Sequence, residues 1–517
     1  MTYQLSVNTN VRYAPFSIDL SVKSKVSMQK VILAICLLIA FHVLVLFKIL
    51  PQTLAAMVTA ITAIAVLTIV DQRPSVHEVV GWTNLETLSL IFGILFITSM
   101  LCDTGLFELI AVMIYKCTGG HTWFLLTSLF LSTFLLSALL DPFTTLILMT
   151  AVAIRLCEAM NIDPKHILIA LVIFSNTGSI LCYSTFKKYQ TTKIEYGQYA
   201  LHVFPAVLLT FLAAYALWRL KYRDVSWLRF KKPLEVEEVK RELGVWKKSY
   251  NSISNYSREE ESVKAILERK MATLETLMRR KLYDSKMSID DYKTTLTELT
   301  NSMKKKNKYL LYKSCAVMTA VLVLLLLRNA PLHITSGWTA VLGALCLLVL
   351  TDLNSMESLI NRIEWSTLLF LASYYIFTKA LVKLDLVSYL VHEAQYFITN
   401  LDENYSLMIA LIFTVWVSAL SSSVALPFSA AVMELINEKY DNCSPIIYAL
   451  SLGACIGVNG SLLGGVSNIL SSGIAEHHGF RFSYLDFLKI GFPIMMLATT
   501  VSMVYLLICH IWLEWND

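Results

Sequence analysis

A chain of 517 residues in which 56% are hydrophobic and only 16% are charged is too apolar for a soluble globular protein. The mean hydropathy is +0.59, and many apolar runs are long enough to cross roughly 30 Å of hydrocarbon as helices. The formal net charge of +5 gives no indication of a nucleic-acid partner, and the scattered cysteines indicate neither a disulfide framework nor a metal site.

The chain divides into segments that differ in composition. Residues 1–30 alternate apolar and polar side chains, which predicts short strands on the non-cytosolic side of the membrane. A first membrane repeat follows at 31–220, then a basic connector at 221–308, a second membrane repeat at 309–513 and a tail at 514–517. The predicted membrane helices lie near residues 31–49, 52–70, 87–105, 122–139, 166–183, 201–219, 310–328, 337–351, 365–382, 406–420 and 489–511.

The connector contains 22 of the 43 Lys and Arg residues of the chain, against 14 acidic residues. Basic residues at both of its ends adjoin apolar spans, where positive charge marks the cytosolic side, so we expect the connector to be cytosolic. Apolar residues recur in it at helical spacing, which predicts two amphipathic helices. A solvated basic linker is the simplest interpretation, and an anionic-lipid site is the alternative.

Landmarks of the first membrane repeat recur in the same order in the second. A long-period repeat in an apolar chain is typical of secondary transporters, whose halves are often inverted relative to each other. We therefore expect two halves related by a pseudo-two-fold axis in the membrane plane. The matching landmarks are Asp71 and Asp352, Trp82 and Trp365, Ser137 and Ser418, and Pro142 and Pro427.

Small polar residues, glycine and proline interrupt the apolar stretches in four places, two in each half. Backbone groups freed by such breaks need protein or a water-filled cavity to satisfy them, and helix N-termini there favour anions. Each motif alone has a packing explanation, because small residues also let helices approach closely. Their symmetric order favours a binding site near the bilayer midplane, formed by Asp141, Thr144, Thr145, Asn176, Thr177, Gly178, Ser422, Ser423, Ser429, Asn459, Gly460, Ser461 and Asn468.

At these residues the chain resembles the P-protein (pink-eyed dilution, oculocutaneous albinism type II) branch of the ion transporter superfamily, which includes arsenite permeases, citrate transporters and dicarboxylate transporters. The resemblance runs from about residue 30 to the C-terminus and is closest between Ala449 and Pro493. It implies an all-α, polytopic inverted-repeat fold in which each half contributes a re-entrant hairpin and a broken helix. It also implies a homodimer with a scaffold domain and a moving transport domain.

The chain departs from this family pattern where a coupling cation would bind. The family carries Asp-Asn in both hairpins, whereas here the first hairpin reads Asp141-Pro142 and the second lacks both residues. Lys187 and Lys188 stand where the family has an acidic and amide-rich turn. These differences put sodium or proton coupling in doubt and favour an anion. The lysines can also mark the membrane surface, which is the simpler interpretation for Lys188 and stays open for Lys187.

Asp141 has two interpretations that the sequence does not separate. A carboxylate in an apolar hairpin needs a cation or a proton, which predicts that it faces the interior cavity and that Asp141→Asn lowers transport or shifts its pH dependence. Alternatively, it caps the helix that starts at Pro142.

These observations together predict a multi-pass protein of an organellar or plasma membrane that transports a small anion or ion by alternating access. The resemblance implies chloride transport or control of organellar pH. The alternative is a transport-inactive relative that acts as a membrane scaffold or regulator through its connector. No cofactor is expected, and no nucleophile–base pair or phosphate loop indicates an enzyme. The expected partners are the substrate ion, the lipid membrane and a second copy of the chain.

Overall fold

The computed structural model describes most of residues 28–223, 308–326, 335–350, 363–424 and 444–515, with parts of 228–276 and 426–432. The predicted N-terminal strands lie outside the described residues. The principal helices are α1 (Met28–Leu46), α2 (Gln52–Ile69), α3 (Val76–Trp82), α4 (Leu85–Thr104), α5 (Leu106–Cys117), α6 (Thr122–Leu139), α7 (Pro142–Ala159), α8 (Pro164–Gly178), α9 (Tyr183–Lys188), α10 (Tyr196–Lys221), α11 (Lys308–Leu326), α12 (Ser336–Leu350), α13 (Trp365–Lys383), α14 (Leu386–Thr399), α15 (Ser406–Ser423), α16 (Ser444–Gly457), α17 (Val466–His477) and α18 (Tyr484–Leu507).

The described residues contain eight helical segments that are long and apolar enough to cross a membrane, and four shorter apolar helices accompany them. Many large apolar side chains on these helices are exposed, as expected of surfaces that face lipid rather than water. The prediction of an all-helical, integral, multi-pass membrane protein is therefore confirmed.

Helix starts follow local signals that are visible in the sequence. The Asp163 side chain accepts a hydrogen bond from the Lys165 backbone N–H at 3.1 Å, and Pro164 occupies the first helical position of α8. At α18, Ser483 and Asp486 form a reciprocal capping box. These caps fix where each helix begins and therefore where its N-terminus points.

The helices form two groups that each combine both halves of the chain. In group 1 (α1 to α4 and α11 to α13), α2 packs against α13 and α4 packs against α12. In group 2 (α6 to α10 and α15 to α18), α10 packs against α18 and α7 packs against α17. The groups meet mainly where α4 contacts α7 and where α13 contacts α17.

The same pair of contacts occurs in each half of group 2. The Ser137 hydroxyl of α6 donates to the Ser175 carbonyl of α8 at 2.7 Å, and the Ser418 hydroxyl of α15 donates to the Leu450 carbonyl of α16 at 3.0 Å. Three residues further along, glycines 178 and 453 leave no room for a Cβ, which would overlap the backbone carbonyls of residues 134 and 415. The α6–α8 and α15–α16 pairs therefore approach closely by the same means.

The described part of the connector includes helical residues 242–247 and 267–276. The Lys270 ammonium lies 3.8 Å from the centre of the Trp246 ring, so these two segments contact each other through a cation–π interaction. Most of the connector lies outside the described residues, and its cytosolic location remains a prediction.

Candidate functional site

Two helices of group 2 are interrupted at small polar residues. The helix α8 ends at Gly178 and continues through a 3-10 turn (Ser179–Leu181) into α9, while α16 ends at Gly457 and continues through two 3-10 turns into α17. The amide nitrogen of Asn468 donates to the carbonyls of Val458 and Ser461, both at 2.7 Å. A polar side chain thus provides hydrogen bonds to two carbonyls at the second break.

Serine hydroxyls satisfy further carbonyls beside the second break. The Ser461 hydroxyl donates to the Ser423 carbonyl, and the Ser423 hydroxyl donates to the Gly457 carbonyl at 2.7 Å. All three residues lie where the end of α15 meets the end of α16. The close fit at Gly460, whose added Cβ would overlap Ser423, completes this contact.

Asparagines from the two halves meet in one buried hydrogen-bonded cluster. Asn176 of α8 donates its amide to the side-chain oxygens of Asn459 and Asn468, both at 2.9 Å. The Ser467 hydroxyl donates to the Asn176 side-chain oxygen at 2.7 Å. We call Asn176, Asn459, Ser467 and Asn468 the asparagine cluster. It joins the two broken helices across the boundary between the halves.

A cavity of about 810 Å³ opens beside the asparagine cluster, between group 1 and group 2. Asn176 and Ser467 form part of its wall. Its charged lining residues are Glu86, Asp141, Lys187, Lys188 and Lys379. Within the described part of the chain, none of the three lysines has an ion-pair partner. The balance of charge on the cavity wall is therefore positive.

Three helix N-termini also face this cavity. The first turn of α4 contributes Glu86 and Thr87, that of α7 contributes Pro142 and Phe143, and that of α17 contributes its first two residues. Backbone N–H groups and the helix dipole make an N-terminus attractive to negative charge, although the Asn84 side chain already caps α4 and the Asp141 carboxylate already caps α7. The helix dipoles and the lysine ammonium groups therefore both favour the binding of an anion.

Asp141 both caps α7 and lines the cavity. One of its carboxylate oxygens accepts from the Thr144 backbone N–H at 3.0 Å, and the other accepts from the Thr144 hydroxyl at 2.7 Å. The capping interpretation is therefore correct in geometry. The cavity-facing interpretation also describes its position, because Asp141 is part of the cavity wall.

The thirteen predicted site residues form three sets, with Asn176 belonging to the first two. Those in the asparagine cluster or its immediate hydrogen-bond network are Asn176, Ser423, Asn459, Ser461 and Asn468. Those that line the cavity are Asp141, Asn176, Ser422 and Ser429, the last of which accepts a hydrogen bond from Tyr189 at 3.4 Å. The five predicted residues that belong neither to the asparagine cluster nor to the cavity wall are Thr144, Thr145, Thr177, Gly178 and Gly460.

Four of these five residues have local roles in capping or helix packing. Thr144 caps with Asp141, and the Thr177 hydroxyl donates to the Ile173 carbonyl of its own helix at 2.7 Å. Gly178 and Gly460 provide close helix contacts. The Thr145 hydroxyl is buried and has no hydrogen-bond partner among the described residues.

Sequence reasoning missed Lys379, Glu86 and Ser467. Lys379 lies within an apolar helix, where an ionisable residue is itself a signal of function, whereas Glu86 lies in the first turn of α4, where an acidic residue is common. Ser467 directly precedes the predicted Asn468. Lys188, for which the membrane surface was the simpler expectation, lines the cavity together with Lys187.

Comparisons with known proteins show which family the chain resembles. The citrate transporter family matches residues 42–433 of the chain. The chain is 36% identical to the P protein of Mus musculus over 507 residues and 36% identical to that of Homo sapiens over 511 residues. These alignments cover 93% and 94% of this chain but only 61% of each P protein.

Bacterial proteins are also similar along nearly their whole length. The chain is 23% identical to a 46 kDa membrane protein of Mycobacterium leprae over 493 residues, which are 92% of this chain and 98% of that protein. It is 24% identical to an uncharacterized transporter of Mycobacterium tuberculosis over 487 residues, which are 92% of this chain and 97% of that protein.

Proposed function

This chain belongs to the citrate transporter family, and we propose that it is a secondary transporter that binds a small anion in the cavity beside the asparagine cluster. The observation that carries this proposal is the meeting of Asn176 with Asn459 and Asn468 at the wall of a cavity between two helix groups. A site formed by broken helices from both halves is where secondary transporters bind their substrates.

The charge of the cavity favours an anion over a cation. Three lysines and three helix N-termini face it, against the carboxylates of Glu86 and Asp141. The Asp141 carboxylate accepts two hydrogen bonds from Thr144, and Glu86 accepts one from the Ser336 hydroxyl at 3.0 Å. The Asn176 amide already donates to Asn459 and Asn468, so the wall hydroxyls of Ser422 and Ser429 are the neutral donors that we propose for the substrate.

The architecture that we propose for transport is an inverted repeat with re-entrant hairpins, in which group 2 moves against group 1, assembled as a homodimer. The equivalent serine and glycine contacts in the two halves support the repeat. An inverted repeat requires that the C-terminal ends of α10 and α18 lie on opposite sides of the membrane. Single cysteines at Lys221 and Trp512 should therefore react with an impermeant maleimide from opposite sides, whereas reaction from one side would rule out the inversion.

Flux measurements on purified protein in liposomes test the function. We expect uptake of at least one of chloride, citrate and arsenite under an imposed sodium, proton or electrical gradient. Asn176→Ala should abolish that uptake, because it removes the donor shared by Asn459 and Asn468. Ser128→Ala is the control, since among the described residues that hydroxyl bonds to the Leu125 carbonyl of its own helix.

Folded protein that moves none of these ions under any gradient would contradict transport. That result would support the alternative, a membrane scaffold or regulator that acts through the connector. Retained flux in Asn176→Ala would remove the asparagine cluster from the site.

A further inference from the structure

An arginine stacked on a tryptophan lies where the start of α6 meets the end of α10. The Arg219 guanidinium, in the last turn of α10, lies 3.3 Å from the centre of the Trp123 ring, in the first turn of α6. The buried Trp218 ring meets Trp123 edge-on, with centroids 6.1 Å apart and ring planes 77° apart. The guanidinium therefore rests on a ring that a second, buried ring holds in place.

The charge of Arg219 has no counter-group in the described part of the chain. Its Nη1 atom is enclosed and makes no hydrogen bond there, while the residue as a whole stays partly exposed. Neither α6 nor α10 contains an acidic residue, and Lys221 and Arg223 add two positive charges at the end of α10. A guanidinium N–H that is withdrawn from water without an acceptor is costly, so this position favours an anionic ligand.

The N-terminus of α6 lies at the same place and also favours an anion. Its N-cap residue, His121, makes no side-chain capping bond to the first turn. Phosphate oxygens accept hydrogen bonds both from helix N-terminal N–H groups and from a guanidinium. Together with Arg219, this helix end therefore favours a phosphate.

The surface that continues from this position along both helices is apolar. We call it the α6–α10 seam, and in it the hydroxyls of Thr127 and Tyr215 are hydrogen-bonded at 2.7 Å and the rings of Phe134 and Phe211 lie 4.6 Å apart. The apolar side chains that follow along the two helices at helical spacing, 41–53% exposed, are Leu131, Leu135, Leu208 and Leu212. On α10 this strip extends about 16 Å below Arg219, which is roughly the hydrocarbon thickness of one leaflet.

We propose that the α6–α10 seam binds one anionic phospholipid, with its phosphate beside Arg219 and an acyl chain along the exposed leucines. The positive charge at the end of α10 selects the anionic headgroup. The helix α10 also leads directly into the connector, which we expect to be cytosolic, and cytosolic leaflets carry anionic lipids. Binding at this seam is independent of transport, so the inference goes beyond the proposed function and does not rest on it.

Lipid binding to the purified, delipidated full-length chain tests the site, with bound lipid counted by native mass spectrometry. The probes are phosphatidylglycerol and phosphatidylcholine with the same acyl chains. We expect phosphatidylglycerol to bind more tightly, and Arg219→Gln to weaken its binding about threefold to tenfold. Arg73→Gln is the control and should leave the binding unchanged, because it removes the same charge from an exposed residue beyond the end of α2, in group 1.

A second variant separates the stack from the charge. Trp123→Leu keeps the guanidinium but removes the ring on which it rests, so we expect weaker phosphatidylglycerol binding than in the wild type. Unfolding temperatures in lipid-free detergent show which variants are folded. If Arg219→Gln does not fold, Trp123→Leu carries the test by itself.

Four results would overturn the inference. Wild-type affinity for phosphatidylglycerol in the folded variants would remove Arg219 and Trp123 from any lipid site. Equal binding of the two lipids would rule out selection of an anionic headgroup. Displacement of the lipid by inorganic phosphate would assign the site to a free anion. A change in the mass of the protein assembly in Arg219→Gln, with lipid binding unchanged, would assign the seam to a second copy of the chain.

Discussion

At the level of single residues, the lysines of the cavity wall are the groups whose charge the substrate should feel most directly. We expect Lys187→Met, Lys188→Met and Lys379→Met each to raise the anion concentration at half-maximal flux by about threefold to tenfold, which is up to about 1.4 kcal/mol per lost charge. Methionine keeps much of the length of the side chain and removes only the ammonium.

The control for this series is Lys116→Met, which removes an exposed lysine at the end of α5 outside the cavity. Initial rates over a range of anion concentrations separate weaker binding from slower turnover. If all three cavity variants match the control, the lysines mark the membrane surface and the anion assignment fails.

Asp141 gives a stability prediction at the same scale. Alanine removes the acceptor for the Thr144 backbone N–H, and we expect Asp141→Ala to lower the free energy of unfolding by about 0.5–2 kcal/mol. Asparagine caps nearly as well, so Asp141→Asn should unfold close to the wild-type temperature. Thermal unfolding in detergent measures both. Flux in Asp141→Asn then reports on the carboxylate charge alone, and a loss or pH shift there would show a role beyond capping.

At the level of helix pairs, the small residues of the two broken helices set how closely group 2 can pack. A methyl group at Gly178 or Gly453 would collide with backbone of the neighbouring helix, which cannot rotate away as a side chain can. We expect Gly178→Ala and Gly453→Ala each to destabilise the protein by about 1–3 kcal/mol, the usual range for an overpacked interior.

Gly197 is the matched control for these glycines. It also lies in a helix, in the first turn of α10, but an added Cβ there would meet nothing within 4 Å. Gly197→Ala should therefore be neutral or stabilising by up to about 1 kcal/mol, because alanine is the better helix former. Equal unfolding temperatures for all three alanine variants would mean that the helix pairs are looser than described.

The same helices show how far the sequence could predict the structure. Glycine and proline interrupt apolar periodicity, so both helix breaks and the start of α7 were visible, and Asn176, Asn459 and Asn468 could be expected to need polar partners. The sequence did not show which neighbouring helix each side chain would face. Thr177 and Gly178 directly follow Asn176, yet the helical rotation turns them toward their own helix and toward α6. Lys379 was missed because it interrupts no helix.

At the level of the whole molecule, the transport cycle that we propose requires group 2 to move against group 1, and the cavity between them would then open to each side of the membrane in turn. Tyr374 of group 1 donates to the Leu463 carbonyl of group 2 at 3.1 Å, a contact that such motion must break or carry along. Contacts within group 1, such as that of the Thr53 hydroxyl with the Ser366 carbonyl at 3.2 Å, join the two halves without crossing between groups. Both contacts are consistent with a group 1 that stays rigid while group 2 moves.

Cys455 lies on the cavity wall and makes this motion measurable. Charged thiol reagents react with a thiolate in water, so we expect them to modify Cys455 and to spare Cys36 and Cys346, which are exposed on apolar helices. Cys455→Ser identifies the modified site. In oriented vesicles, Cys455 should react from one side under one ion gradient and from the other side when the gradient is reversed, because alternating access opens the cavity to one side at a time. Reaction from the same side under both gradients would mean that the cavity is a fixed vestibule and that the groups do not exchange access.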